Sequence, residues 1–96
     1  MTVELDCRKM TDRGTAHDYL AEKFEFPGYY GRNLDALFDL LSTYEKDAQI
    51  VVNAPELLEE NLGAYGKNIF KTLEEAAREN LKLTLQINLE KNKNNT

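Results

Sequence analysis

The stretch LKLTLQINL, residues 81–89, alternates without a break, setting Leu83, Leu85, Ile87 and Leu89 against Lys82, Thr84, Gln86 and Asn88. A period of two marks a strand with one face on a core and the other on water. TVELDC near the N-terminus reads the same way, with Val3, Leu5 and Cys7 facing inward. Between them, AQIVVNA sets Ile50, Val51 and Val52 side by side, too short a run for a helix and apolar on both faces. It predicts a strand buried on both sides, in the middle of a sheet. Helical stretches of at least 15 residues separate the three strands, so the connections are crossovers and the sheet is parallel. Because the outer strands alternate, one face is covered and the other is wet. The expected fold is α/β: two layers, a three-stranded parallel sheet with helices packed on one face.

The intervening segments carry helical spacing. Thr15 is a candidate cap for a helix to about Phe24, with Ala16, Tyr19, Leu20 and Phe24 on one face, closed by Pro27 and Gly28. Asn33 caps a second helix, whose stripe is Leu34, Leu37, Phe38 and Leu41. Pro55 suits the first turn of a short helix through Leu62, with Gly63 as its stop. A longer helix from about Tyr65 to Asn80 turns Tyr65, Ile69, Leu73, Ala76 and Ala77 inward. Residues 1–90 are expected to form one domain, and residues 91–96, polar and without periodicity, read as a disordered tail.

Composition narrows the function classes. A hydrophobic fraction of 42% is enough for a 96-residue chain to fold around one core rather than stay disordered. Seventeen Asp and Glu against twelve Lys and Arg give a formal charge of −5, which repels nucleic acid and anionic membrane and attracts a basic partner. Cys7 stands alone and has no partner for an internal disulfide, and MTVELDCRKM lacks the pattern of a signal peptide. A reducing, cytoplasmic location is expected. No run approaches the roughly 18 apolar residues of a membrane span.

Two features carry chemistry. Asp35 and Asp39 lie four residues apart, on neighbouring turns of one helix face, where like charges cost about 0.2–0.5 kcal/mol. The helix dipole favours Asp35 in the first turn and has faded by Asp39. The spacing alone leaves open whether these are solvated surface acids or a binding face. The second feature is the loop PGYYGRN just upstream, with two tyrosines and two glycines. One tyrosine can turn inward, which leaves the other exposed beside the acids as an anchor for a partner; both can equally pack the corner between helices. Glu75 and Glu79 either extend the acidic face or merely solvate it.

Catalysis finds little support. A carboxylate pair used as acid and base needs an apolar pocket around one member, and Asp35 and Asp39 fall on an open helix flank. His17 has no Cys or His at metal-ligand spacing and reads as a surface or boundary residue. Cys7 reads as an inert core thiol. No phosphate-binding or nucleophile-elbow motif is present, and no metal or cofactor is expected.

The stretch from Pro27 to Asp39, PGYYGRNLDALFD, resembles the signature of the barstar family, intracellular inhibitors of a secreted guanyl-specific ribonuclease. The order of strands and helices is similar over roughly residues 2 to 89, and EEAAREN resembles the family's last helix. The resemblance implies a protein that plugs the basic active-site cleft of a secreted microbial ribonuclease with side chains standing in for RNA phosphates. It implies Asp39 as the central phosphate mimic, Asp35 as a second acidic contact, Tyr29 against the catalytic histidine and Glu75 on the basic rim. Gly31 would allow close backbone approach, and Asn33 would shape the loop. Three positions depart from the family pattern: Phe38 and Tyr44 stand where tryptophans are usual, and Thr43 where a glycine lies beside the interface. They keep the acid-aromatic theme and leave the identity of the nuclease open. Two other readings remain: a module of this fold with a different basic partner, and a metal- or acid/base-dependent hydrolase using Asp35 and Asp39.

Overall fold

The computed structural model describes residues 1–90; the expected tail, 91–96, lies outside the described residues. Strand β1 (Thr2–Asp6) leads through a 3₁₀ turn, Cys7–Lys9, into helices α1 (Arg13–Phe24) and α2 (Leu34–Ser42). Strand β2 (Ala48–Asn53), helices α3 (Glu56–Leu62) and α4 (Ala64–Glu79), and strand β3 (Leu83–Asn88) follow. The sheet has the order β1-β2-β3 and both pairings are parallel, as crossover connections require.

Register explains the burial. Val3, Ile50 and Leu85 form one rung and Leu5, Val52 and Ile87 the next, all on the face toward the helices. Leu5, Ile50 and Val52 are fully buried there with Leu20, Leu37, Leu41, Ile69 and Leu73. Each such side chain contributes about 1.5–3 kcal/mol relative to exposure. The central strand is buried on both sides, as its composition predicts, yet among the described residues no second layer covers its outer face. Val51 is shielded between Glu4 and Gln86, its in-register neighbours. Around it Gln49 bonds Gln86 and Asn88 bonds Asn53, a polar ladder on the wet face.

Two expectations need correction. The cap of α1 is Asp12, not Thr15: the Asp12 carboxylate accepts from the Thr15 amide at 2.8 Å, and Thr15 returns its hydroxyl at 3.1 Å. A carboxylate at that position accepts an amide proton that the helix leaves unpaired. The other end closes before Pro27, where Glu25 takes a left-handed conformation and the Phe26 amide reaches back to Ala21. Strand β3 is also less covered than its alternation suggests. Leu83 is buried, Leu85 half-buried, and Ile87 and Leu89 are exposed in an open hollow that Glu56, Lys67 and Phe70 of the helical layer also line.

Candidate partner-binding face

Helix α2 starts where Asn33 makes it start. The Asn33 side-chain oxygen accepts from the Ala36 amide at 2.7 Å, and its amide group donates to the Gly31 carbonyl at 3.3 Å, tying loop to helix. With Leu37 and Leu41 fixed in the core, the opposite flank must carry Asp35 and Asp39 outward, and both are exposed. Helix α4 packs beside α2 and brings Glu75 up to the same place. Leu34, Asp35, Phe38, Asp39, Thr72 and Glu75 line one groove of about 410 Å³. Among the described residues, none of its three carboxylates makes an ion pair.

The tyrosine pair divides its roles. Tyr30 is buried, whereas Tyr29 is 81% exposed on the loop leading into α2. Tyr30 belongs to a string of rings running Tyr44, Phe24, Phe26, Tyr30, His17, Tyr65, with successive centroids 4.8 to 5.9 Å apart. This string holds the loop against α1. Gly31 is needed for tightness rather than for a left-handed turn, since a Cβ there would press on the Ala36 methyl at 3.3 Å. The left-handed residue in the loop is instead Arg32, at φ 55°.

At the far end of α2, Thr43 is exposed and its hydroxyl donates to the Asp39 carbonyl at 2.7 Å. Tyr44 is half-buried and turned inward, donating to the Phe24 carbonyl at 3.0 Å, and burial raises its phenol pKa. The structure therefore gathers Asp35, Phe38, Asp39 and Glu75 into the groove. Tyr29, Gly31 and Asn33 lie on the loop before it, and Thr43 and Tyr44 follow it. Thr72 and Asn80 gave no signal in the sequence. Asn80 is buried and donates to both the Leu41 and Tyr44 carbonyls, locking the end of α2 to the end of α4. An Asn closing a helix announces a cap, not a reach to another helix.

His17 is not a surface residue. It is 2% exposed, with Nδ1 2.6 Å from the Tyr30 hydroxyl and Nε2 2.7 Å from the Tyr65 hydroxyl. A neutral imidazole accepts from one phenol and donates to the other, so the ring is buried with both nitrogens satisfied. Burial, reinforced by Arg32 and opposed by Asp18, lowers its pKa. Folding then favours the neutral ring, and its contribution to stability is complete above about pH 6.5 and is lost as pH falls toward the lowered folded value. Chemical unfolding of the wild type and His17→Gln should show the wild type's advantage shrinking between pH 7.5 and pH 5. An advantage independent of pH would refute the linkage.

Cys7 is buried and its thiol is pushed up to about 12, chiefly by burial, which makes it unreactive. No helix among the described residues is long and apolar enough to cross a membrane.

Comparison with known proteins adds to this geometry. Residues 1–90 match a family described as Barstar (barnase inhibitor). The chain is also 36% identical over 76 residues to a Bacillus subtilis (strain 168) protein named "Putative ribonuclease inhibitor YrdF", covering 78% of this chain and 84% of that protein. With the family pattern spanning strand β1 through the end of β3, and the acidic helix and tyrosine loop inside it, the chain belongs to the Barstar family.

Proposed function

We propose that the chain is an inhibitor rather than an enzyme, and that it blocks the basic active-site cleft of a secreted microbial ribonuclease from a cytoplasmic location. The observation that carries the reading is the groove between α2 and α4, where three carboxylates without an ion-pair partner among the described residues share one depression. Anions so arranged repel one another in the free protein and become favourable when a basic cleft covers them. Membership of the Barstar family and the name of the relative support the ribonuclease class of partner.

In this reading Asp39 is the central phosphate mimic, Asp35 its neighbour on the same helix, and Glu75 the contact to the basic rim from α4. Tyr29 lies against the catalytic histidine of the nuclease, Gly31 admits its backbone, and Phe38 supplies the apolar floor. Asn33 fixes the helix start; Thr43 and Tyr44 border the contact. An acid/base hydrolase is disfavoured because Asp35 and Asp39 stand open to solvent, without the apolar surroundings that such chemistry needs.

The test is inhibition of a guanyl-specific ribonuclease across a salt series. A negative face steering a basic partner lifts association from about 10⁵–10⁶ toward 10⁸–10⁹ M⁻¹s⁻¹ at low salt. Inhibition should therefore be tight at low salt, with an association rate that drops steeply as salt rises. Absence of inhibition across a panel of such enzymes, or an association rate indifferent to salt, would overturn the proposal.

A further inference from the structure

The groove has a neighbour that brings two arginines to the same face. Arg13 and Arg32 stand at the edge of a second, larger hollow of about 620 Å³, whose lining includes Tyr65, Asn33, Leu34 and Asp35. Leu34 and Asp35 also line the acidic groove, so the two depressions share a wall. A specific protein interface covers about 800 Å² on each partner. A partner seated over Asp35 therefore reaches both.

The two guanidinium groups are held differently. Arg32 is anchored to the Asp18 carboxylate at 2.9 Å and to the Gly14 carbonyl at 3.2 Å. Its backbone sits at φ 55°, a conformation that an arginine rarely adopts and that glycine or asparagine would occupy at less cost. The loop thus carries strain at the residue whose side chain forms the hollow's rim, and such strain is concentrated at binding sites. Arg13 makes no ion pair among the described residues; its guanidinium carbon lies over the Tyr65 ring, 4.1 Å from the centroid. This cation–π contact holds the guanidinium without pairing its charge. Tyr65 is in turn fixed by His17, so the floor is rigid before any partner arrives. The helix starts here are already capped by Asp12 and Asn33, and with Arg32 paired to Asp18, Arg13 is the cation left for a partner.

We infer that this hollow is a second docking point of the same face, which takes a carboxylate side chain of the nuclease beside its basic cleft and so selects among nucleases. The inference rests on the inhibitor reading and extends it to the choice of partner. A planar guanidinium fork fits a carboxylate or a phosphate equally. The surroundings decide for a protein carboxylate: an RNA strand lying here would run into Asp35, Asp39 and Glu75 next door, whereas an acidic residue on a mostly basic surface matches both depressions. A nuclease with a lysine at that point meets Arg13 and is rejected, which is specificity by repulsion.

The experiment uses a ribonuclease that the wild-type protein inhibits, with Arg13→Glu and Arg32→Asn; asparagine tolerates the left-handed backbone while removing the guanidinium. Both variants are expected to keep the wild-type circular dichroism spectrum. Affinity should fall by about ten-fold or more for Arg13→Glu and less for Arg32→Asn. Changing one acidic residue of the nuclease to lysine should weaken the wild-type complex and restore binding to Arg13→Glu. Folded variants that bind as well as the wild type, or better because the face has become more negative, would overturn the inference while leaving the inhibitor reading intact. Wild-type binding of a single-stranded oligonucleotide that Arg13→Glu abolishes would overturn it in favour of a phosphate site. If neither wild type nor variants bind any ribonuclease, both readings fall.

Discussion

Asp39→Ala is expected to weaken the complex with a cognate ribonuclease by about 30-fold to several thousand-fold, the range that follows from the ~2–5 kcal/mol typical of removing one member of a desolvated charge pair. Asp39 is exposed in the free protein and lines the groove with Asp35 and Glu75. Covering the groove strips water from it and leaves any facing guanidinium dependent on that one carboxylate. The same substitution should act in the opposite direction on stability. Removing Asp39 abolishes the repulsion from Asp35 one turn earlier, takes an anion out of the last turn of α2, and installs the best helix former. Each of these effects favours the folded state by about 0.2–0.7 kcal/mol. A more stable protein that binds far worse is the mark of a residue kept for its partner. Glu79→Ala serves as the comparison, because Glu79 is exposed on α4 away from the groove's lining and should change affinity by no more than a few-fold. Titration calorimetry on both variants, with thermal unfolding of each, checks the pair of signs. Equal and small losses of affinity would remove Asp39 from the centre of the interface.

Much of the architecture could be read from the chain because it is encoded locally. Alternation found β1 and β3, the Ile50–Val52 run found the central strand, and Asn33 announced the start of α2. Alternation records which side of a strand faces inward, but not how closely the helices pack there. Ile87 and Leu89 are exposed for that reason. The burial of His17 was equally invisible, since its two phenol partners come from 13 and 48 residues away. Asp35 and Asp39 could be paired from spacing alone, yet spacing left Glu75 either extending that face or merely solvating α4, and only the family resemblance chose the first. Its place in the groove depends on how α4 lies against α2, which no local pattern states. Arg13 and Arg32 gave no warning at all. Their meeting depends on the loop's left-handed turn at Arg32, at a position where sequence reasoning looks to the adjacent glycine.

Gly66→Ala carries the largest expected loss of stability. By helix propensity alone the change should help, since alanine is favoured over glycine by about 0.8–1 kcal/mol in a helix interior, and Gly66 lies inside α4. Packing reverses the sign. A Cβ at this position falls on the carbonyl carbon and oxygen of Leu58 and 3.1 Å from the Glu59 amide nitrogen, all of them backbone atoms of α3. A side chain can rotate out of the way; a helix backbone has to move as a body, and Leu58 is itself buried in the core. The cost is therefore placed at or above the upper end of the ~1–3 kcal/mol usual for overpacking, and at roughly 4–8 °C per kcal/mol it lowers the thermal midpoint by more than about 10 °C. Gly66 and Glu75 are nine residues apart, which at 100° per residue puts them on opposite sides of α4. The damage falls on the α3 contact and spares the side that meets α2. Protein that remains folded should then keep its affinity for the nuclease, the reverse of Asp39→Ala. A midpoint unchanged or raised in Gly66→Ala would mean that α3 yields at Leu58 and that the close helix crossing is not what requires the glycine.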